Sequence, residues 1–91
     1  MAAGLRLQFH RNQGQGVHFK TVVSEEYRGA ILKGINDGMS IHFPEFLKTG
    51  TVWITEITED PVDSSRWAFY AAARSAIELA YTIVQLKDVQ L

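Results

Sequence analysis

The chain contains no cysteine, and that absence removes three kinds of chemistry at once: disulfide stapling, a thiolate nucleophile and a thiolate-bound metal. No apolar run approaches the roughly 20 residues of a transmembrane helix. The opening residues MAAGLRLQ lack the hydrophobic core of a signal peptide, so a cytoplasmic protein without membrane contact is expected. Positive charge is not in excess either. The formal net charge is −1, whereas a free-standing nucleic-acid binder usually carries a basic surplus, because phosphate contacts supply most non-specific affinity. Phosphate-loop patterns are missing as well. QGQG at residues 13 to 16 carries glycines but lies between two strand-like segments and matches neither GxxxxGKS/T nor GxGxxG. A nucleotide cradle needs a helix N-terminus after its glycines, so Gly14 and Gly16 read as turn residues. There is no HExxH, and of the three histidines, His10, His18 and His42, the pair His10 and His18 has no carboxylate at ligand spacing beside it. Ser64 and Ser65 have no adjacent base. The expectation is a protein that is not an enzyme and needs no cofactor or metal.

What is present suits one small domain spanning residues 1 to 91, with 46% hydrophobic and 21% charged residues. The charges are unevenly spread. Residues 1 to 33 hold Arg6, Arg11, Lys20, Arg28 and Lys33 against Glu25 and Glu26, while residues 56 to 63 hold Glu56, Glu59, Asp60 and Asp63 with no base. One region suits an anion and the other repels it.

LRLQF, residues 5 to 9, alternates apolar and polar and predicts a half-buried strand. VHFKTVV, residues 17 to 23, is strand-like, and the short link predicts an antiparallel hairpin with His10 facing His18. Residues 24 to 40 read as a helix, with Ser24 as its side-chain cap and Glu25 and Glu26 suited to the first turn. Gly29 and Gly34 each cost about 1 kcal/mol relative to alanine inside a helix, which a close contact would explain. A helical turn is expected at PEFL, residues 44 to 47. TVWITEI, residues 51 to 57, predicts a strand with Trp53, Thr55 and Ile57 on one face and Val52, Ile54 and Glu56 on the other. A second helix is expected from about Ser64 to Gln85, capped by Asp63 or Ser64. Its stripe is Phe69, Ala73, Ala76, Ala80 and Ile83, and Arg74 and Glu78 form an i,i+4 pair.

The order strand, strand, helix, strand, helix predicts an α+β two-layer sandwich. A sheet of about three strands, partly antiparallel, would carry both helices on one face. Leu5, Leu7, Phe9, Phe19, Trp53, Phe69, Ala73 and Ala76 are expected in the core. Arg6, His10, His18 and Lys20 would then share the open sheet face with Gln8. Such a face suits RNA by backbone contact and stacking, and it equally suits a partner domain or solvent.

Two segments resemble domain IV of elongation factor G and related translation GTPases. In VSEEYRGAILKGINDGM, Glu26 and Tyr27 stand at the family's Glu-Tyr, Ala30 and Ile31 at its Ala-Val, Gly34 and Ile35 at its Gly-Ile, and Gly38 and Met39 at its Ala-Met. In VDSSRWAF, Val62, Asp63, Ser64, Ser65, Ala68 and Phe69 match Val-Asp-Ser-Ser-x-x-Ala-Phe. The resemblance implies a ribosomal protein S5 domain 2-like fold with a left-handed βαβ crossover, where the general rule predicts a right-handed one. It also implies a non-catalytic module contacting the ribosome or rRNA, as a short, divergent homologue or a fragment. Asp60 stands where the family carries a tip histidine, and a carboxylate there repels phosphate. The candidate contacts for RNA or a partner are Arg6, His10, Arg11, His18, Lys20, Arg28, Lys33 and Asp60. The competing expectation is a protein-interaction or homodimerisation module without a ribosomal role.

Overall fold

The computed structural model describes residues 3–11, 14–59 and 65–90. They form β1 (Ala3–Arg11), β2 (Gly16–Phe19), α1 (Glu25–His42), the single-turn α2 (Phe46–Thr49), β3 (Gly50–Glu59) and α3 (Arg66–Gln90). The three strands make one mixed sheet in the order β1-β3-β2.

The expected β1–β2 hairpin does not form. β3 lies between the two strands, antiparallel to β1 and parallel to β2. The chain crosses from one side of β3 to the other between Arg11, paired with Gly50, and Gly16, paired with Thr51. β3 is buried on both faces of its first half, with Val52 and Ile54 on the core side and Thr51 on the other, which suits a central strand with its backbone paired on each edge. Gly14 and Gly16 have φ of 108° and 85°, backbone that only glycine adopts readily. β2 ends at Phe19 rather than at residue 23, although the Lys20 amide still donates to the Ile54 carbonyl at 2.9 Å.

A bulge in β3 changes which side chains share a face. Leu7 pairs with Ile54 and Arg6 with Glu56, leaving Thr55 without an opposite residue. The Thr55 hydroxyl donates to the Arg6 carbonyl at 3.2 Å. Beyond the bulge the alternation is inverted. Ile57 therefore joins Val52 and Ile54 on the core side, and Glu56 swings to the open side, where it meets Arg6 at 2.8 Å. The expected grouping of Trp53 with Ile57 fails for this reason.

The core gathers Ile31, Ile35 and Met39 from α1, Phe69, Ala72, Ala73 and Ile77 from α3, and Val52 and Ile54 from β3. Both helices thus cover the same sheet face. Each large apolar side chain fully buried there contributes about 1.5–3 kcal/mol. Leu5, Leu7 and Phe19 are partly buried against this cluster. Three expected core members lie elsewhere: Trp53 points to the other face, Phe9 is 38% exposed, and Ile83 of the expected α3 stripe is 46% exposed.

The helices approach each other through small residues. A Cβ built on Gly34 would lie 2.6 Å from the Tyr70 carbonyl oxygen and 2.7 Å from the Ala73 Cβ. One on Gly38 would lie 2.9 Å from the Ile77 Cβ. Gly29 has nothing within 4 Å, so no contact requires it. At the start of α1, Ser24 accepts from the Tyr27 and Arg28 amides through its carbonyl, but its side chain makes no capping bond, contrary to expectation. α3 is capped by Ser65, whose hydroxyl accepts from the Ala68 amide at 3.1 Å. The expected caps Asp63 and Ser64 lie outside the described residues.

Candidate nucleic-acid interface

The face of the sheet opposite the helices is where the predicted contact residues converge. Alternation along β1 sets Arg6, Gln8 and His10 on that side, and alternation along β2 sets His18 and Lys20 there. Trp53 of β3 stands between them, opposite Gln8 on one side and His18 on the other. The His18 ring lies 4.9 Å from the Trp53 ring at an angle of 34°, and Lys20 Nζ lies 5.0 Å from the Trp53 ring centroid. His18 is held by its own turn, donating from Nε2 to the Gln15 carbonyl at 2.8 Å. Gln15 in turn donates to the Lys48 carbonyl at 2.7 Å. His10 and Gln8 hydrogen bond to each other at 3.3 Å. His10 and His18 do not face each other, because β3 runs between their strands.

Sequence reasoning missed Trp53 as a member of this face. The residue types alone favour burial, and only the pairing of β3 with β1 on one side and β2 on the other shows which way its ring points. The result is an aromatic ring at the centre of a polar face with a lysine and an imidazole packed on it. Electrostatically the face is mild: Arg6 is offset by Glu56, while Lys20 has no ion pair among the described residues.

The other predicted cations do not join it. Arg11 ends β1 on the helix side, beside Phe43, Pro44 and Phe46. The Arg28 guanidinium lies 4.5 Å from the Phe19 ring centroid, at the β2 edge of the helix layer. Lys33 sits between the helices, 3.3 Å from Asp37. Asp60 lies outside the described residues.

Two carboxylates link the helices. Tyr70 donates to Asp37 at 2.7 Å, and that bond, with Lys33 and Arg74 nearby, holds the Asp37 carboxyl below its usual 3.8 against a smaller opposing effect of burial. Glu78 lies 2.8 Å from His42 Nε2 and 3.4 Å from Arg74. The His42 contact first, and Arg74 after it, keep Glu78 below its usual 4.5. His42 also stacks on Tyr81 at 4.3 Å.

Among the described residues no three of His, Asp and Glu come together as metal ligands, and no helix is long and apolar enough to cross a membrane. The chain matches no family model, no curated protein and no solved structure.

Proposed function

We propose that this chain is a non-catalytic module of the kind found in domain IV of elongation factor G, with the left-handed crossover of that fold, and that its open sheet face contacts single-stranded RNA, as on the ribosome. One observation carries the reading: Trp53 stands at the centre of the helix-free face with Lys20 and His18 against its ring. Every base has a π-face, so stacking on an aromatic ring tolerates any sequence, and a nearby cation meets the backbone phosphate. Arg6 and His10 extend the same face. Two observations fit weak rather than tight binding. The Arg6–Glu56 pair neutralises one cation internally, and the net charge of −1 supplies no long-range attraction.

The experiment is co-sedimentation with ribosomes at two salt concentrations. Binding is expected at low salt, weaker at high salt, and reduced in both Trp53→Ala and the Arg6/Lys20→Ala double variant. Asp60→His is expected to strengthen it, because one repulsion is removed. Binding unchanged by Trp53→Ala would defeat the sheet-face reading.

A second reading rests on a separate observation. Among the described residues the outer edge of β1 carries no strand, and beside it Phe9, Leu79, Ile83 and Val84 are 38 to 61% exposed. An unpaired edge next to apolar side chains suits a second copy of the chain through β1–β1 pairing. Sedimentation equilibrium tests this: a dimer that Leu79→Lys dissociates supports it, and a monomer at all concentrations rejects it.

A further inference from the structure

We infer that the helix layer carries its own RNA contact, an aromatic shelf of Trp67 and Tyr70 flanked by Arg66 and Lys33 that stacks a base of single-stranded RNA and holds its phosphate. Trp67 is 73% exposed, although Phe69, two residues along the same helix, is completely buried. Its ring lies 5.7 Å from the Tyr70 ring and is inclined to it by only 24°. Tyr70 is itself anchored, since its hydroxyl donates to Asp37 at 2.7 Å. One ring of the pair is therefore anchored and the other lies nearly parallel to it, an arrangement that lowers the ordering cost of binding.

The surroundings select the ligand. Ala30 and Lys33 of α1 and Arg66 of α3 line the same hollow as the two rings. Lys33 Nζ lies 5.9 Å from the Tyr70 ring centroid, and its side chain is 70% exposed despite the bond to Asp37. Arg66 is the first residue of α3, where a cation opposes the helix dipole and no acidic residue in that turn offsets it. A flat apolar surface beside Arg66 and the Asp37-paired Lys33 complements a planar base joined to a phosphate, with Arg66 the cation that carries no ion pair among the described residues. A purely apolar partner would leave both charges to be desolvated. The shelf shares its ligand class with the sheet face but none of its residues, so each stands or falls alone.

The chain has 2 tryptophans, which separates the two sites. In Trp53→Phe, fluorescence reports the shelf only; in Trp67→Ala, it reports the sheet face only. The probe is an eight-nucleotide oligoadenylate RNA at low salt, and circular dichroism verifies that each variant is folded. Saturable quenching is expected in Trp53→Phe. Trp67→Ala is expected to weaken binding of a fluorescently labelled copy of the RNA about tenfold or more, measured in a Trp53→Ala background that also removes the sheet-face ring. The Arg66/Lys33→Ala variant should lower the salt dependence as well, by about 0.7 in log–log slope for each phosphate that is no longer neutralised. No saturable quenching in Trp53→Phe overturns the inference, as does labelled RNA bound equally well after Trp67→Ala. Quenching in Trp53→Phe together with none in Trp67→Ala would keep the shelf and remove the sheet face.

Discussion

Glycine 34 and glycine 29 lie in the same helix and answer to different physics. At Gly34 an added Cβ meets the Tyr70 carbonyl oxygen at 2.6 Å. That atom is backbone inside a hydrogen-bonded helix and cannot move aside cheaply. Alanine there gains about 1 kcal/mol in helix propensity but forces α1 and α3 apart, and overpacking costs about 1–3 kcal/mol. The close backbone contact puts Gly34 at the upper end, so Gly34→Ala is expected to destabilise by about 1–2 kcal/mol net. Gly29 has no neighbour within 4 Å, so Gly29→Ala should stabilise by about 0.5–1 kcal/mol. Urea unfolding of both variants gives the comparison, and shifts of the same sign would mean that the helix contact is looser than the geometry shows.

Among the elements, the two long helices begin in different ways. Ser65 closes the first turn of α3 with its hydroxyl, while Ser24 gives α1 only its carbonyl. Ser65→Ala is therefore expected to cost about 1 kcal/mol, and Ser24→Ala no more than a few tenths; equal losses in thermal or urea unfolding would contradict the assignment. Helical spacing was enough to locate α1 to within about two residues, because Tyr27, Ile31 and Ile35 recur on one face. Strand alternation in LRLQF likewise placed Leu5 and Leu7 against the core and put Arg6 and Gln8 outside. The sheet order was not legible. A short link suggests a hairpin by local reasoning, whereas β3, 31 residues after the end of β2, takes the central place, with Thr51, Val52 and Ile54 buried across its two faces. The bulge at Thr55 was equally hidden. One unpaired residue leaves no mark on composition, yet it sends Ile57 inward and Glu56 outward. The candidate face was half legible for the same reason: alternation grouped Arg6, His10, His18 and Lys20, but Trp53 could be oriented only once its two neighbouring strands were known.

At the scale of the whole molecule, the helix layer is fastened by polar contacts above a glycine-mediated apolar one, and this makes stability depend on acid. Asp37 accepts from Tyr70 across the helix pair, and Glu78 meets His42 of α1 and Arg74 of α3. Both carboxyls titrate lower in the folded protein than their ordinary 3.8 and 4.5. A depressed folded pKa means that the unfolded chain takes up protons first as the pH falls. The stabilisation is accordingly complete above the ordinary values and fades as pH drops through them towards the folded ones. Asp37 and Glu78 are solvent-accessible, which screens each contribution. Urea midpoints at pH 7 and pH 3 should therefore show wild type losing more stability on acidification than the Asp37→Asn/Glu78→Gln variant. The side-chain amide introduced by Asp37→Asn still offers a carbonyl oxygen to the Tyr70 hydroxyl, so the variant keeps much of the geometry without the titrating groups. Equal acid sensitivity in the two proteins would place the titrating carboxylates elsewhere in the chain and leave the helix pair held by its apolar contact alone.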